Sequence, residues 1–144
     1  MIAFPLRLHI PSLLTIQRIP SSLGCEYTGY FTLSFWVKAS IPGTYSLSLT
    51  NVNNDYSYPT TYTVGSANIW EYKTIAVPGP TAGTWLNTTG VGLRVKFDIG
   101  CGTTYEGTGN VWQNLDKHAI AGTVKLGATL NATLQFTGVQ VEKG

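Results

Sequence analysis

Hydrophobic and polar side chains alternate along most of the chain after position 30. The clearest run is 31–38, Phe-Thr-Leu-Ser-Phe-Trp-Val-Lys, in which every second residue is large and apolar. The runs 45–50 and 91–99 show the same alternation. Because successive side chains of a strand point to opposite faces, each run predicts a strand that buries one face. The outward residues of the last run are the charged ones, Arg94, Lys96 and Asp98.

Turn residues separate these runs at short intervals. Pro42-Gly43 and the polar run 51–55 are two examples, of residue types that turns favour. Further strands are predicted over about 60–64, 69–77, 123–126 and 133–141, with 111–121 irregular or holding one helical turn. About seven or eight short strands without a long helix are typical of two antiparallel sheets packed face to face. We therefore predict an all-β fold, an antiparallel β-sandwich, over residues 28–144.

Residues 1–27 follow a different pattern. They are rich in leucine, isoleucine and proline, and Pro5, Pro11 and Pro20 oppose both a long helix and a central strand. We predict an extended N-terminal arm, which must bury its apolar side chains on its own domain or on a neighbouring subunit; the sequence leaves both open. The interrupted apolar pattern argues against a signal peptide. No stretch of the chain is apolar enough for a membrane span.

Composition limits the partners. Hydrophobic residues make up 43% of the chain and charged residues only 11%, with a net charge of +2. The basic residues are scattered, so neither nucleic-acid binding nor membrane insertion is expected. The two cysteines, Cys25 and Cys101, are either paired or free, since a disulfide depends on a Cα separation that the sequence does not supply.

No arrangement of residues carries a catalytic signature. Nucleophilic catalysis needs a serine or cysteine beside a base, and the histidines, His9 and His118, follow no motif spacing, although a Cys101–His118 pair is conceivable. Glycoside hydrolysis needs two converging carboxylates. Asp98 and Glu106 are the nearest candidates, but nothing in the sequence brings them together. We therefore expect neither enzyme activity nor a cofactor.

Aromatic residues are the main candidates for a binding surface. Rings stack on sugar faces, and they also fill subunit contacts or close the ends of a sandwich. The sequence does not separate these roles. The candidate ligand-binding residues are Trp36, Tyr56, Tyr58, Trp85, Tyr105 and Trp112. Trp36 lies off the apolar row of its strand, so it most needs a covering partner.

No metal site is predicted. The one weak candidate is Asp55, which ends an oxygen-rich run with Asn51, Asn53 and Asn54. Such a run suits a calcium ion. It also suits a plain turn in which asparagine and aspartate bond their own backbone, which is the preferred interpretation.

An ordered set of segments resembles a module of tailed-phage virion proteins. The first is 31–40, ending in Val-Lys-Ala-Ser, followed by Gly-Thr-Tyr-Ser-Leu at 43–47. The others are 70–75 with Pro78-Gly79, then 83–85 before 92–98, and the ending 136–144. Together they span about residues 30–144, and residues 1–27 do not match what precedes the module in longer relatives.

This resemblance implies a jelly roll of galactose-binding-like type, related to carbohydrate-binding modules and often trimeric. Such modules occur in tail fibres, collars and head decorations. We therefore expect a phage virion structural protein, a capsid decoration or a tail or neck appendage. Its partners in the virion would be itself, as a homotrimer, and other virion proteins. The alternative is a receptor-recognition domain of a tail fibre that binds a host surface glycan.

Overall fold

A computed structural model describes residues 6–9, 13–17, 29–86 and 91–143, and for 6–9 and 13–17 it describes the backbone alone. The strands are β1 (Leu6–His9), β2 (Leu13–Gln17), β3 (Tyr30–Ala39), β4 (Gly43–Thr50), β5 (Ser57–Val64), β6 (Glu71–Pro78), β7 (Arg94–Asp98) and β8 (Leu134–Lys143). In these ranges the helical segments are two short 3₁₀ turns, Thr103–Tyr105 and Leu126–Ala128. The prediction of an all-β fold is confirmed.

The strands form two antiparallel sheets. One has five strands in the order β1-β2-β7-β4-β5, and the other has three in the order β6-β3-β8. Every neighbouring pair runs antiparallel. Consecutive strands lie in different sheets at five places: β2 and β3, β3 and β4, β5 and β6, β6 and β7, and β7 and β8. These crossings hold the two sheets together around one core, as in a sandwich.

The predicted apolar rows meet in this core. Phe35 is fully buried at its centre, with its ring edge-on to Tyr62 at 5.2 Å and to Phe97 at 5.1 Å between centroids. Phe136 approaches from β8 at 5.9 Å. Edge-to-face contacts are the arrangement that aromatic quadrupoles favour. One ring of β3 thus packs against strands of both sheets.

Strand limits differ from the predicted ones in places. β5 begins at Ser57, ahead of the predicted start at 60, and β6 covers Glu71–Pro78 instead of 69–77. The strand predicted at 123–126 is wrong: Val124 makes a backbone bond to the Thr44 carbonyl, and the buried Leu126 opens a 3₁₀ turn. Periodicity alone does not distinguish a short apolar strand from a short apolar segment that packs into the core in another conformation. The final strand, β8, is where it was predicted.

Part of the segment predicted as an arm is built into the five-stranded sheet. β1 pairs with β2, and β2 pairs with β7 of the same chain, from Leu13↔Asp98 to Gln17↔Arg94. The prolines of this segment lie outside both strands, so neither strand lacks a backbone donor. β2 is therefore flanked on both sides, and β1 forms the edge.

A strap of chain, residues 101–126, covers the outer face of the five-stranded sheet. Ser46 of β4 donates its hydroxyl to Thr123 Oγ1 at 3.0 Å and accepts the N–H of Ile120 at 2.9 Å. Lys96 and Asp98 lie on this face, as the alternation predicts, but they are buried, with 6% and 0% exposure. The middle of the strap has neither helix nor strand, so of the two alternatives for 111–121, irregular chain or one helical turn, the irregular one is observed.

Candidate interaction surface

We call the outward side of β6-β3-β8 the open face, because no segment among the described residues crosses it. The residues of β3 that alternate with the buried row point here, Trp36 and Lys38 among them. In the strand register Trp36 stands between Tyr72 of β6 and Thr137 of β8. The strand alternation that buries one row of β3 therefore presents the other row on this face.

Three aromatic side chains and one lysine form a group at one end of the open face. Trp36, Trp70 and Tyr72, which we call the aromatic corner, are 44%, 41% and 53% exposed. The rings of Trp36 and Tyr72 lie 5.3 Å apart with a tilt of 46°. Lys38 holds its ammonium 5.2 Å from the Trp70 ring centroid, a cation–π contact. Several exposed rings that lie together in this way mark an interaction surface.

A β-bulge in β8 shapes the surface beside Trp36. The register against β3 shifts between Ser34↔Gln140 and Trp36↔Thr137. Gly138 lies in the bulge at φ 60°, a left-handed conformation that glycine adopts at no steric cost. A Cβ at this position would lie 3.5 Å from Cδ1 of Trp36. The glycine thus leaves the edge of the tryptophan ring uncovered.

Glu71 and Lys73, beside the aromatic corner, are paired with each other. Glu71 accepts a hydrogen bond from Lys73 at 2.6 Å and from the N–H groups of Gly65 and Ser66 at 2.8 and 2.9 Å. These hydrogen bonds, that from Lys73 foremost, lower the pKa of the Glu71 carboxyl below its usual range. The carboxylate is thereby occupied in the turn before β6. The ammonium of Lys38, over the Trp70 ring, is then the charge that the aromatic corner itself presents.

Four of the predicted ring residues form a separate cluster at one end of the core. Tyr56 stacks on Trp112 at 5.5 Å with a tilt of 4°, and Trp85 meets Trp112 edge-on at 5.4 Å. Tyr58 and Trp85 are only 5% and 8% exposed. Both indole N–H groups donate to backbone carbonyls, of Ala82 and Pro78. Rings packed on one another and bonded to backbone carbonyls in this way suit the closing of a sandwich end, one of the roles that the sequence left open.

The remaining predicted ring, Tyr105, belongs to the strap. It stacks on His118 with centroids 4.6 Å apart and a tilt of 9°, while 42% of it is exposed. Of the six predicted residues, only Trp36 lies on the open face. Sequence reasoning missed Trp70 and Tyr72, although their spacing of two residues places them on one side of an extended chain.

A buried polar cluster joins the strap to β7. Lys96 donates to Asp116 Oδ1 at 3.1 Å, and Nε2 of His118 lies 2.9 Å from the same oxygen and 3.1 Å from the Lys96 ammonium. Burial lowers the pKa of Lys96, and the Asp116 carboxylate only partly offsets this. Burial alone would raise the pKa of Asp116, but the His118 hydrogen bond and the Lys96 charge outweigh it and hold that pKa below its usual range.

Three of the groups considered for catalysis, Asp98, Glu106 and Cys101, lie near one another around Lys125 and are held in contacts within the chain. Cys101 is a free, buried cysteine, and burial together with the nearby Asp98 carboxylate raises the pKa of its thiol to about 12. A thiol that stays protonated near neutral pH is a poor nucleophile. Glu106 pairs with Lys125 at 2.9 Å, while Asp98 accepts the N–H of Cys101 at 2.8 Å. Cys25 lies outside the described residues.

The oxygen-rich run at 51–55 is a hydrogen-bonded turn. The side-chain oxygen of Asn51 accepts the N–H groups of Asp55 and Tyr56 at 3.1 and 3.2 Å, and its amide donates to Asp55 at 2.6 Å. Asn54 has a φ of 57° and accepts from Arg94 at 2.9 Å. Among the described residues no group of three or more histidine, cysteine or acidic side chains is placed to hold a metal ion.

Comparison of the chain with protein-family models, with curated proteins and with solved structures finds no match. In the ranges that the structure describes, no helix is long and apolar enough to cross a membrane.

Proposed function

We propose that this chain is a non-catalytic structural subunit of a tailed-phage virion, a capsid decoration or a tail or neck appendage. Its two-sheet domain is a jelly roll of galactose-binding-like type, and it acts by contact with copies of itself, as a homotrimer, and with other virion proteins. The observation that supports the proposal best is the difference between its two outer faces.

The two faces are treated differently by the chain itself. The outer face of the five-stranded sheet is polar, yet the strap covers it. The open face carries the aromatic corner, yet no described segment covers it. Tryptophan and tyrosine are enriched in subunit contacts, where burial of a ring stabilises the complex and a polar rim excludes water. The open face is therefore the surface that a neighbouring subunit covers.

Charge and strand edges favour the same surface. With a net charge of +2, copies of the chain repel one another only weakly. The open face is bounded by the edge strands β6 and β8. Exposed edges invite uncontrolled pairing with other chains, and a closed symmetric assembly covers them. A trimer built on this face would bury the rings and shield the edges together.

The assembly is tested by measuring the mass of the full chain in solution. Native mass spectrometry and light scattering should give three copies for the wild type. Trp36→Ser combined with Tyr72→Ser should shift the distribution to monomers. Leu115→Ser is the matched control, because Leu115 is an exposed apolar residue, 54% accessible, on the strap. A wild type that stays monomeric at high concentration, or a trimer indifferent to the double variant, contradicts the proposed contact.

Placement in the virion needs its own test. Antibodies raised against the folded chain should label intact particles of the phage that encodes it, at the capsid exterior, neck or tail. Label found only with soluble lysate protein, and never on purified particles, contradicts a structural role in the virion.

A second candidate is recognition of a host surface glycan by the same face. The observation that favours it is the setting of Trp36, an exposed ring whose register partner on β8 is the hydroxyl residue Thr137. Rings that stack on sugars are found beside hydroxyl and amide groups, which bind sugar hydroxyls. A polysaccharide that offers ring faces and hydroxyl groups would suit this chemistry.

The two candidates are separated by binding measurements on purified host surface polysaccharide. Binding that is lost in Trp36→Ser and kept in Leu115→Ser, with a wild-type chain that is monomeric, supports glycan recognition. A trimer with no affinity for the polysaccharide supports assembly.

A further inference from the structure

We infer that the middle of the strap, residues 113–123, opens as a unit from the five-stranded sheet while the sandwich stays folded. This inference concerns a conformational change within the chain and does not depend on the proposed role in the virion. It rests on three observations: the surface under the strap is polar, the strap is attached mainly by polar contacts, and the large apolar side chains that hold it in place lie at its ends.

The surface under the strap is polar. Ser46, Ser48 and Thr50 of β4 are 0% exposed there, beside Lys96 and Asp98 of β7 at 6% and 0%. A face that is permanently buried is normally apolar, because burial of hydroxyl and charged groups costs free energy unless every group is bonded. This face would be well hydrated if it were uncovered. The cost of lifting the strap is correspondingly low.

The strap is attached mainly by polar contacts. Ser57 donates its hydroxyl to the Leu115 carbonyl and accepts the N–H of Lys117 at 3.0 Å. Ser46 bonds Ile120 and Thr123 in the same way. Bonds of this kind are exchanged for bonds to water on opening, so each contributes little net stability to the closed strap. A set of such bonds breaks without the large loss that accompanies exposure of an apolar core.

Two polar atoms between the strap and the sheet gain a partner when the strap lifts. Ser48 Oγ and His118 Nδ1 are buried and have no hydrogen-bond partner among the described residues. A buried polar atom without a partner destabilises the state that buries it. Opening would let water reach both. Their burial therefore lowers the stability of the closed strap relative to the open one.

The large apolar anchors lie at or beyond the ends of the middle segment, and within it the fully buried apolar side chain is the small one of Ala119. On one side Trp112 packs into the ring cluster with Tyr56 and donates to the Pro78 carbonyl at 2.7 Å. On the other side Leu126 is buried in the core. Gly122 has a φ of 83° with open space around it, which suits a hinge. The segment between the anchors can swing out while both ends stay in place.

Native-state hydrogen exchange tests this directly on the wild-type chain. The reporters are the N–H groups of Lys117, His118 and Ile120, which bond Ser57 Oγ, the Tyr105 carbonyl and Ser46 Oγ. We expect them to exchange at least about 100-fold faster, after correction for intrinsic rates, than the ladder amides of β4 and β7. Reporters that exchange together with β4 and β7, through global unfolding alone, would overturn the inference.

A disulfide lock supplies the second measurement. The hydroxyl oxygens of Ser46 and Thr123 are 3.0 Å apart, so Ser46→Cys with Thr123→Cys places two sulfurs within bonding reach. Cys25→Ser and Cys101→Ala remove the native thiols from this variant. Oxidation should slow exchange of the Lys117 and His118 N–H groups toward that of β4, and reduction of the same protein should restore fast exchange. Ile120 is not used here, because the variant removes its acceptor, Ser46 Oγ. A lock that forms and leaves their exchange unchanged counts against opening of this segment.

Discussion

Replacing Lys96 by methionine should cost less stability than replacing Asp116 by alanine, although each change breaks the same ion pair. The side chain of Lys96 is 7% exposed and lies under the strap. Methionine keeps most of the volume of the buried stem and removes the ammonium, whose transfer out of water is costly. Alanine at position 116 leaves the ammonium buried and takes away its carboxylate.

The magnitude follows from the geometry of the pair. At the Nζ–Oδ1 distance of 3.1 Å, an effective dielectric of about 20 gives an attraction of about 5 kcal/mol. The side chain of Asp116 is 35% exposed, and screening by solvent reduces this by roughly half. Asp116→Ala should therefore destabilise the fold by about 2–3 kcal/mol, whereas Lys96→Met should stay within about 1 kcal/mol of wild type.

Urea unfolding at neutral pH, followed by tryptophan fluorescence, measures both differences. The dependence of the unfolding free energy on urea should be the same in all three proteins, so that midpoints report stability alone. Asp116→Asn, which keeps the shape of the side chain, should fall between wild type and Asp116→Ala. If Lys96→Met proves as destabilising as Asp116→Ala, attraction outweighs desolvation and the reasoning about this buried ammonium is wrong.

Three further outcomes are expected. The pKa of Asp116 is lowered in the folded state, so the ionised carboxylate adds to the free energy of unfolding above the ordinary aspartate pKa. This addition is lost as pH falls through the folded-state pKa. Wild type should therefore lose more stability than Asp116→Asn between about pH 5 and about pH 2. In the Cys25→Ser protein, iodoacetamide at about pH 8 should leave Cys101 unmodified in the folded state and modify it in urea, because the pKa of the thiol is raised to about 12. Peptide masses that show rapid modification of the folded protein would contradict the burial of this thiol. Gly43→Ala should destabilise by about 1–3 kcal/mol, because φ is 148° and the new Cβ would lie 2.6 Å from Val124. Gly102→Ala, with nothing within 4 Å, should be near neutral, and equal costs at the two glycines would refute the steric argument.

The alternation of side chains was sufficient to predict the main strands and their buried faces. Phe35 and Leu47 point into the core, as their places in apolar rows predict. Periodicity is a local property, since two residues along a strand always return to the same face. The same rule failed at 123–126, because Leu126 packs into the core from a 3₁₀ turn and not from a strand.

The candidate site could be predicted only in part. Trp36 was singled out because it lies off the apolar row, and it is on the open face. Its neighbour across the register, Tyr72, belongs to another strand, and strand pairing is not written in the local pattern. The rings of Tyr56 and Trp112 form one stack although they are distant in sequence. Aromatic type alone therefore did not separate a surface ring from one that closes the core.

What the sequence determined by itself is the all-β character of the chain and the inward or outward direction of each row, because both follow from the geometry of a single extended strand. Only the tertiary structure decided which outward row meets water. Lys96 and Trp36 both point away from the core, yet the lysine is buried and the tryptophan is 44% exposed. The difference lies in the strap, which reaches Ser46 from a position 77 residues away. Cover of that kind depends on how distant segments cross in space, and no local pattern of side chains encodes it.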